Sequence, residues 1–146
     1  MPRKGYRYMG HTADVEFVAS GGTPAMLFRN ALLAMFDTAA DTAAVCKGKG
    51  RTKTITVRDV APDLGTLLWY VLQDALSVAD AEGFFLYGVS GISFKRTDGG
   101  YKADATLLGK DKEPRYAKLD VKGVSRYDLK VWKVGRTYRA SAVLDV

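Results

Sequence analysis

The sequence predicts an α+β fold: one domain over residues 1–146, with two helices packed on one face of a mixed β-sheet. Three observations predict it. Apolar residues follow helical spacing in only two stretches, both before Gly83, and most of the rest alternates with the period of a strand. The order runs strand, strand, helix, strand, helix and then about five strands. A chain of 146 residues with 47% hydrophobic content can bury one core without disulfide or metal support.

Tyr6 to Met9 and Val15 to Ser20 read as short strands flanking GHTAD, with Val15, Phe17 and Ala19 alternating against Glu16 and Val18. GGTP then makes a turn, in which Thr23 has the hydroxyl of an N-cap and Pro24 suits the first helical position, where its missing N–H costs nothing. From Ala25 to about Ala39 the apolar residues cover more than half of the circumference, so this helix should be largely buried. KGKGR, residues 47 to 51, reads as a basic loop, and TKTITVRDV as a strand with one wet face. Asp63 should cap a second helix, whose stripe of Leu64, Leu67, Leu68, Val71, Leu72, Ala75, Leu76 and Ala79 follows 3, 4 spacing. After Gly83 come strand-like segments: FFLYGV, GISFKRT, a DGG turn, YKADATLLG, KLDVKGV, DLKVWKV, a turn at Gly135, and RTYRASAVLDV.

Composition removes several function classes. No run of about 18 apolar residues occurs, and no apolar stretch follows the basic residues of MPRKGYRYMG. Neither a membrane span nor a secretory signal is expected, and the expected location is cytoplasmic. One cysteine, Cys46, and one histidine, His11, cannot supply a structural zinc site, so any metal must be held by oxygen. KGKGRT lacks the spacing of a phosphate-cradling P-loop, and neither a GxSxG elbow nor a dinucleotide fingerprint follows a strand. Cys46 beside two lysines reads as a small apolar residue in preference to a reactive thiolate. The net charge of +6 suits a polyanionic partner, and equally serves solubility.

Carboxylates at element ends are the more informative feature. Asp14 precedes a strand, Asp41 follows the first helix, and Asp145 stands one position before Val146 and its terminal carboxylate. Divalent cations such as Ca²⁺, Mg²⁺ or Mn²⁺ take oxygens of this kind from separate segments, although aspartates at such places also serve as caps and turn formers. ASAVLDV keeps strand character to its last residue, which implies a docked end; a closing edge strand with a solvated Asp145 explains the same pattern.

GHTADVEF, GGTPAMLFRNALLAMFDTAAD, DVKGVSRYDLKV and a final AVLDV, in this order and over essentially the whole chain, resemble the archease family. The resemblance implies a small, chaperone-like accessory protein of tRNA splicing. It would activate an RtcB-type RNA ligase, which joins 2′,3′-cyclic-phosphate or 3′-phosphate ends to 5′-hydroxyl ends with GTP and Mn²⁺, by promoting guanylylation of the ligase and multiple turnover. It would not itself be an enzyme. By matching position the resemblance implies a divalent-cation site of Asp14, Asp41, Asp145 and Val146, with Asp14, Lys122 and Asp145 active towards the ligase. Three features depart from the pattern: Gly10 replaces the aspartate that precedes HTAD, Tyr127 stands where a histidine is common, and the segment GKDKEPRYAKL is more basic than usual. His11 and Thr12 are expected to shape the turn that aims Asp14 at the chain end.

The rival reading is a free-standing RNA-binding module. It rests on the loop bearing Lys47, Lys49, Arg51 and Lys53, and on Tyr101, Tyr116, Tyr127, Trp132 and Tyr138 interleaved with basic residues, where rings could stack on bases or simply cover the sheet core. A metal-dependent hydrolase would need a general base and an open metal position, and the sequence identifies neither. No membrane partner is expected, and tRNA would be met indirectly or through the basic loops.

Overall fold

The computed structural model describes residues 5–9 and 14–146. Its strands are β1 (Tyr6–Met9), β2 (Val15–Gly21), β3 (Lys53–Ala61), β4 (Phe84–Thr97), β5 (Gly100–Asp111), β6 (Gly123–Val124), β7 (Lys130–Val134) and β8 (Thr137–Asp145). The helices are α1 (Pro24–Ala39), α2 (Thr42–Lys47) and α3 (Leu64–Glu82), with a single 3₁₀ turn at Pro114–Tyr116. The expected α+β class stands.

Local chemistry starts and stops the helices as expected. The Thr23 hydroxyl accepts the Met26 N–H at 3.1 Å and Pro24 opens α1; the Asp63 carboxylate accepts the Thr66 N–H at 2.8 Å and opens α3. Gly83 ends α3 with φ of 70°, the left-handed conformation that a residue without Cβ adopts freely, and α3 runs three residues beyond the apolar stripe before reaching it. The extra helix, α2, is six residues long, too short to display a period, and is announced only by its cap, Asp41.

The strands fall into two sheets, and every pair among the described residues is antiparallel. In one sheet β1, β2 and β8 lie side by side, and β6 and β7 share the remaining edge of β8. In the other, β5 lies between β3 and β4. The arrangement follows from the helices. Buried Leu27, Phe28, Ala31, Leu32, Met35 and Phe36 spread around α1, and one sheet face cannot cover so wide an apolar surface. α1 therefore packs on β2 of one sheet and β4 of the other, while α3 packs on β3 and β5 and reaches β6. One continuous core joins both sheets to the helices, through residues such as Phe17, Leu72, Leu107 and Leu144, all fully buried.

Two expected strands differ in form. FFLYGV and GISFKRT are one 14-residue strand, β4, carried past two register shifts near Gly88 and Gly91. KLDVKGV forms a ladder only at Gly123–Val124; before it the chain runs along the end of α1, with Lys118 N–H on Ala39 O at 3.0 Å and Leu119 N–H on Thr38 O at 3.2 Å. Among the described residues no helix is long and apolar enough to cross a membrane.

Candidate functional site

The β2–β8 ladder positions the first group of residues. Its pairs run from Gly21 opposite Tyr138 to Val15 opposite Leu144, so Asp14 and Asp145 each stand one residue beyond the last pair, at the same end of neighbouring strands. Leu144 is buried in the core, and pleating sets Asp145 on the opposite face. β6 closes over this end from the other side: Gly123 pairs with Asp145, and the Lys122 N–H donates to the Asp145 carbonyl at 2.7 Å. A Cβ at Gly123 would stand 3.7 Å from Asp145 Oδ2 and 3.8 Å from Gln73 Oε1, ordinary contact distances that a side chain there could meet. Lys122 is exposed, and Val146 packs its side chain against the core.

α1 returns to this end of the sheet. It leaves β2 at Gly21, where a Cβ would lie 2.5 Å from the Leu27 nitrogen, and runs back so that Tyr8 of β1 donates to the Ala34 carbonyl at 2.9 Å. Asp41 follows, exposed, with one carboxylate oxygen accepting the Ala44 N–H at 3.1 Å and its own N–H donating to Tyr116 O at 2.9 Å. Asp41 is thus tied to the start of the 116–122 segment, whose far end is tied to Asp145. Asp14 and Asp145 share a strand end, whereas Asp41 joins them only through that segment. Among the described residues no group of three His, Cys, Asp or Glu side chains is close enough to hold a metal ion. His11, Thr12 and Gly10 lie outside the described residues.

Several polar residues here were not singled out by the sequence. Asp37, in the last turn of α1, accepts from the Tyr6 hydroxyl at 3.1 Å and the Thr42 hydroxyl at 3.3 Å, and the Lys118 ammonium stands 3.9 Å from its Oδ1 while donating to its carbonyl. Burial first, and then the charge of Asp37 and the bond to it, push the Tyr6 phenol far above its usual pKa. Burial likewise raises Tyr8. Both phenols stay protonated and able to donate at neutral pH. A signal for Asp37 existed, because an acid in the last turn opposes the helix dipole and needs compensating partners. On the outer face a depression of about 360 Å³ is lined by Asp14, Glu16, Asp128, Lys130, Ser141 and Val143. Glu16 follows Asp14 at the two-residue spacing that keeps strand neighbours on one face, and Asp128 accepts the Ser125 hydroxyl at 2.7 Å.

The basic loop is a separate feature. Lys47, Lys49 and Arg51 are all exposed. Beneath them Lys110, only 6% exposed, donates to Cys46 O and Gly48 O, each at 2.8 Å, and lies 5.7 Å from the Tyr87 ring centre. A buried ammonium thereby caps the carbonyl end of α2 and fixes the course of the loop. Cys46 is exposed, so its reading as a small apolar residue does not extend to burial.

Comparison with known proteins covers almost the whole chain. The family model described as the archease protein family matches residues 6–146. The protein archease of Methanosarcina acetivorans is 29% identical over 150 residues, covering all of both chains. That of Archaeoglobus fulgidus is 29% identical over 141 residues, 97% of this chain and 98% of the relative. The solution structure of Methanobacterium thermoautotrophicum protein 1598 superposes with a TM-score of 0.82 at 25% identity, covering 99% of this chain and all of the other. A crystal structure of a Thermotoga maritima archease, described as a possible chaperone, gives a TM-score of 0.62 at 15% identity with 94% of each chain covered, a likeness of fold.

Proposed function

The chain belongs to the archease family, and on that premise we propose that it is a non-catalytic accessory protein that activates an RtcB-type RNA ligase in tRNA splicing, promoting guanylylation and multiple turnover. The observation that carries the reading is the shared strand end of Asp14 and Asp145, with Lys122 bound through its backbone to the latter. The possible-chaperone description of the Thermotoga maritima protein suits an accessory role.

Activation requires differential binding: the accessory protein must favour the guanylylation-competent state of the ligase over its resting or stalled state. A rigid strand end suits this work. Asp14 and Asp145 are anchored by a seven-pair ladder, so presenting their charges to a partner costs little ordering entropy. Their oxygens fit a hard divalent cation (Ca²⁺, Mg²⁺ or Mn²⁺) as part of the six or more oxygens that such an ion takes, with water and the partner completing the set. Asp41 and Val146 are the further contributors in this proposal. When bound, the ion would neutralise phosphate charge at the ligase site. Lys122 either pairs with a phosphate or steadies the neighbouring carboxylates. Lys47, Lys49 and Arg51 are proposed to meet RNA phosphates, each as an exposed cation on a loop that Lys110 holds in place.

The test counts ligation turnovers per molecule of the host's RtcB-type ligase, with GTP and Mn²⁺, in the presence of the parent protein, Asp14→Ala or Asp145→Ala. Both substitutions are expected to abolish stimulation, and Asp145→Ala to change stability by no more than about 0.5 kcal/mol, because Asp145 is exposed and outside the core. A folded Asp145→Ala protein that stimulates fully would remove Asp145 from the site.

A further inference from the structure

At the other end of β8 the two sheets part around an open groove of about 870 Å³, within the size range of small-molecule and nucleoside sites. One wall is β7, an outer strand that among the described residues pairs with β8 alone; the other is Tyr101 of β5 and the Pro62–Gly65 turn that starts α3. Leu129 and Tyr138 complete the lining, and on β7 Val131 and Lys133 share the face of Tyr138, whereas Lys130 and Trp132 stand on the opposite one. We propose that this groove binds an unpaired stretch of RNA, with bases against the rings and phosphates on the flanking cations.

Three observations favour that occupant. First, Tyr101 and Tyr138 are half-buried, each packed on the core on one side and lining the groove on the other. Rings in this position both cover the core and leave surface on which unpaired bases stack. Second, the charge is complementary to a phosphate backbone. Lys133 lies 4.9 Å from the Tyr138 ring centre and Arg96 lies 5.8 Å from that of Tyr101, cations exposed to solvent and perched on the rings themselves. Among the described residues no carboxylate comes within ion-pair distance of Lys133 or Arg96. The one acidic residue in the lining, Asp63, is occupied by the Thr66 N–H and hydroxyl. Third, lysines along an open edge discourage the addition of a peptide strand, the alternative use of an unpaired β7.

Tyr138 and Asp145 are seven residues apart on one strand, about 23 Å at 3.3 Å per residue. An RNA bound here would therefore leave the Asp14–Asp145 end free for a different contact. The choice of RNA over DNA rests on the function proposed above; the groove itself rests on its own residues.

The experiment uses the whole protein without ligase. A fluorescein-labelled, unstructured RNA 12-mer is titrated at 50 and 200 mM salt, with a DNA 12-mer of the same sequence alongside. We expect binding that weakens by about an order of magnitude between the two salt concentrations, as two or three phosphate contacts require. Tyr138→Leu, which keeps apolar cover over the core and removes the ring, should weaken it about tenfold further, the loss of one stacked base. Arg96→Ala/Lys133→Ala, which alters only exposed side chains and so keeps the proposal testable if the tyrosine variant fails to fold, should weaken binding and flatten its salt dependence. RNA binding that is absent at 50 mM salt, or unchanged in both groove variants, or lost only in a Lys47→Ala/Lys49→Ala/Arg51→Ala variant, would overturn the groove. DNA binding tighter than RNA would overturn the assignment to RNA. Since no ligase is present, failure here leaves the ligase-activation assay untouched, and failure there leaves this result standing.

Discussion

Asp59 should make the protein less stable as the pH rises towards neutrality, and Asp59→Asn should remove that dependence. On β3 the buried residues Ile55, Val57 and Ala61 share a face with Asp59, which puts a carboxylate under α3 in the row otherwise used for the core. Its Oδ2 is sealed from solvent, and among the described residues no N–H or O–H group reaches it apart from a proton shared with Asp74 of α3. Burial first, then the bond to Asp74 and the charge of Asp74, raise its pKa from 3.8 to about 7. In the unfolded chain it ionises near 3.8. Between those two values the folded state keeps a proton that the unfolded state has released, so stability is highest below about pH 4 for this group, falls as pH rises, and levels off above about pH 7.

A shift of this size corresponds to roughly 4 kcal/mol if fully expressed. The residue as a whole remains partly open to water, so screening and relaxation cut the figure to about 1 kcal/mol. Asparagine has nearly the same shape, carries no charge at any pH, and can donate to Asp74. Urea unfolding followed by circular dichroism at pH 4.5, 6 and 8 should therefore show the variant near the parent at pH 4.5 and about 1 kcal/mol more stable at pH 8, a rise of about 2 to 4 °C in Tm. Charged groups that do not touch residue 59 contribute equally to both proteins and cancel in the difference. Identical pH slopes for the two would refute the assignment of the shared proton to Asp59.

Leu72 has no exposed surface and lies in the middle of the α3 stripe, so Leu72→Ala should cost about 2 to 5 kcal/mol in denaturant unfolding; an unchanged midpoint would mean that the scaffold does not depend on this helix face. Lys110→Met would leave the Cys46 and Gly48 carbonyls without their buried donor, at a cost of about 1 to 3 kcal/mol, and amide exchange at Gly48, now bonded to Ala44 O at 2.9 Å, should accelerate more than exchange in β5.

What the sequence disclosed tracks the distance over which each cause acts. Thr23, Pro24, Asp63 and Gly83 act within one turn of their own helix, and α1 and α3 were legible to within a few residues. Strand partners are not local: a period of two identifies a face without saying which neighbour completes it, so the division into two sheets could not be read from alternation alone. The wide apolar surface of α1 was nevertheless visible, and it was the physical requirement for a second sheet. In the site, the element-end positions of Asp14, Asp41 and Asp145 were legible, whereas the register that seats Asp14 beside Asp145 depends on pairing across most of the chain. Asp37 was passed over because its compensating groups come from residues 6, 42 and 118.

That contrast separates the carboxylates by what a substitution can teach. Asp37 is bonded into β1, α2 and the 116–122 segment, and Asp59 is lodged between β3 and α3, so changing either alters folding and geometry together. Asp14 and Asp145 stand beyond the last ladder pair, where strand geometry is already set by Val15 and Leu144. A loss of activity on changing Asp145, with unfolding unaltered, therefore reports on a contact made outside the protein; the same loss at Asp37 could come from a displaced helix end. Asp41 falls between the two classes, since one of its oxygens caps α2 while the residue stays exposed. Asparagine retains an N-cap oxygen at that position and removes the charge, and Asp41→Asn is accordingly the substitution that separates the cap from any role in binding a cation.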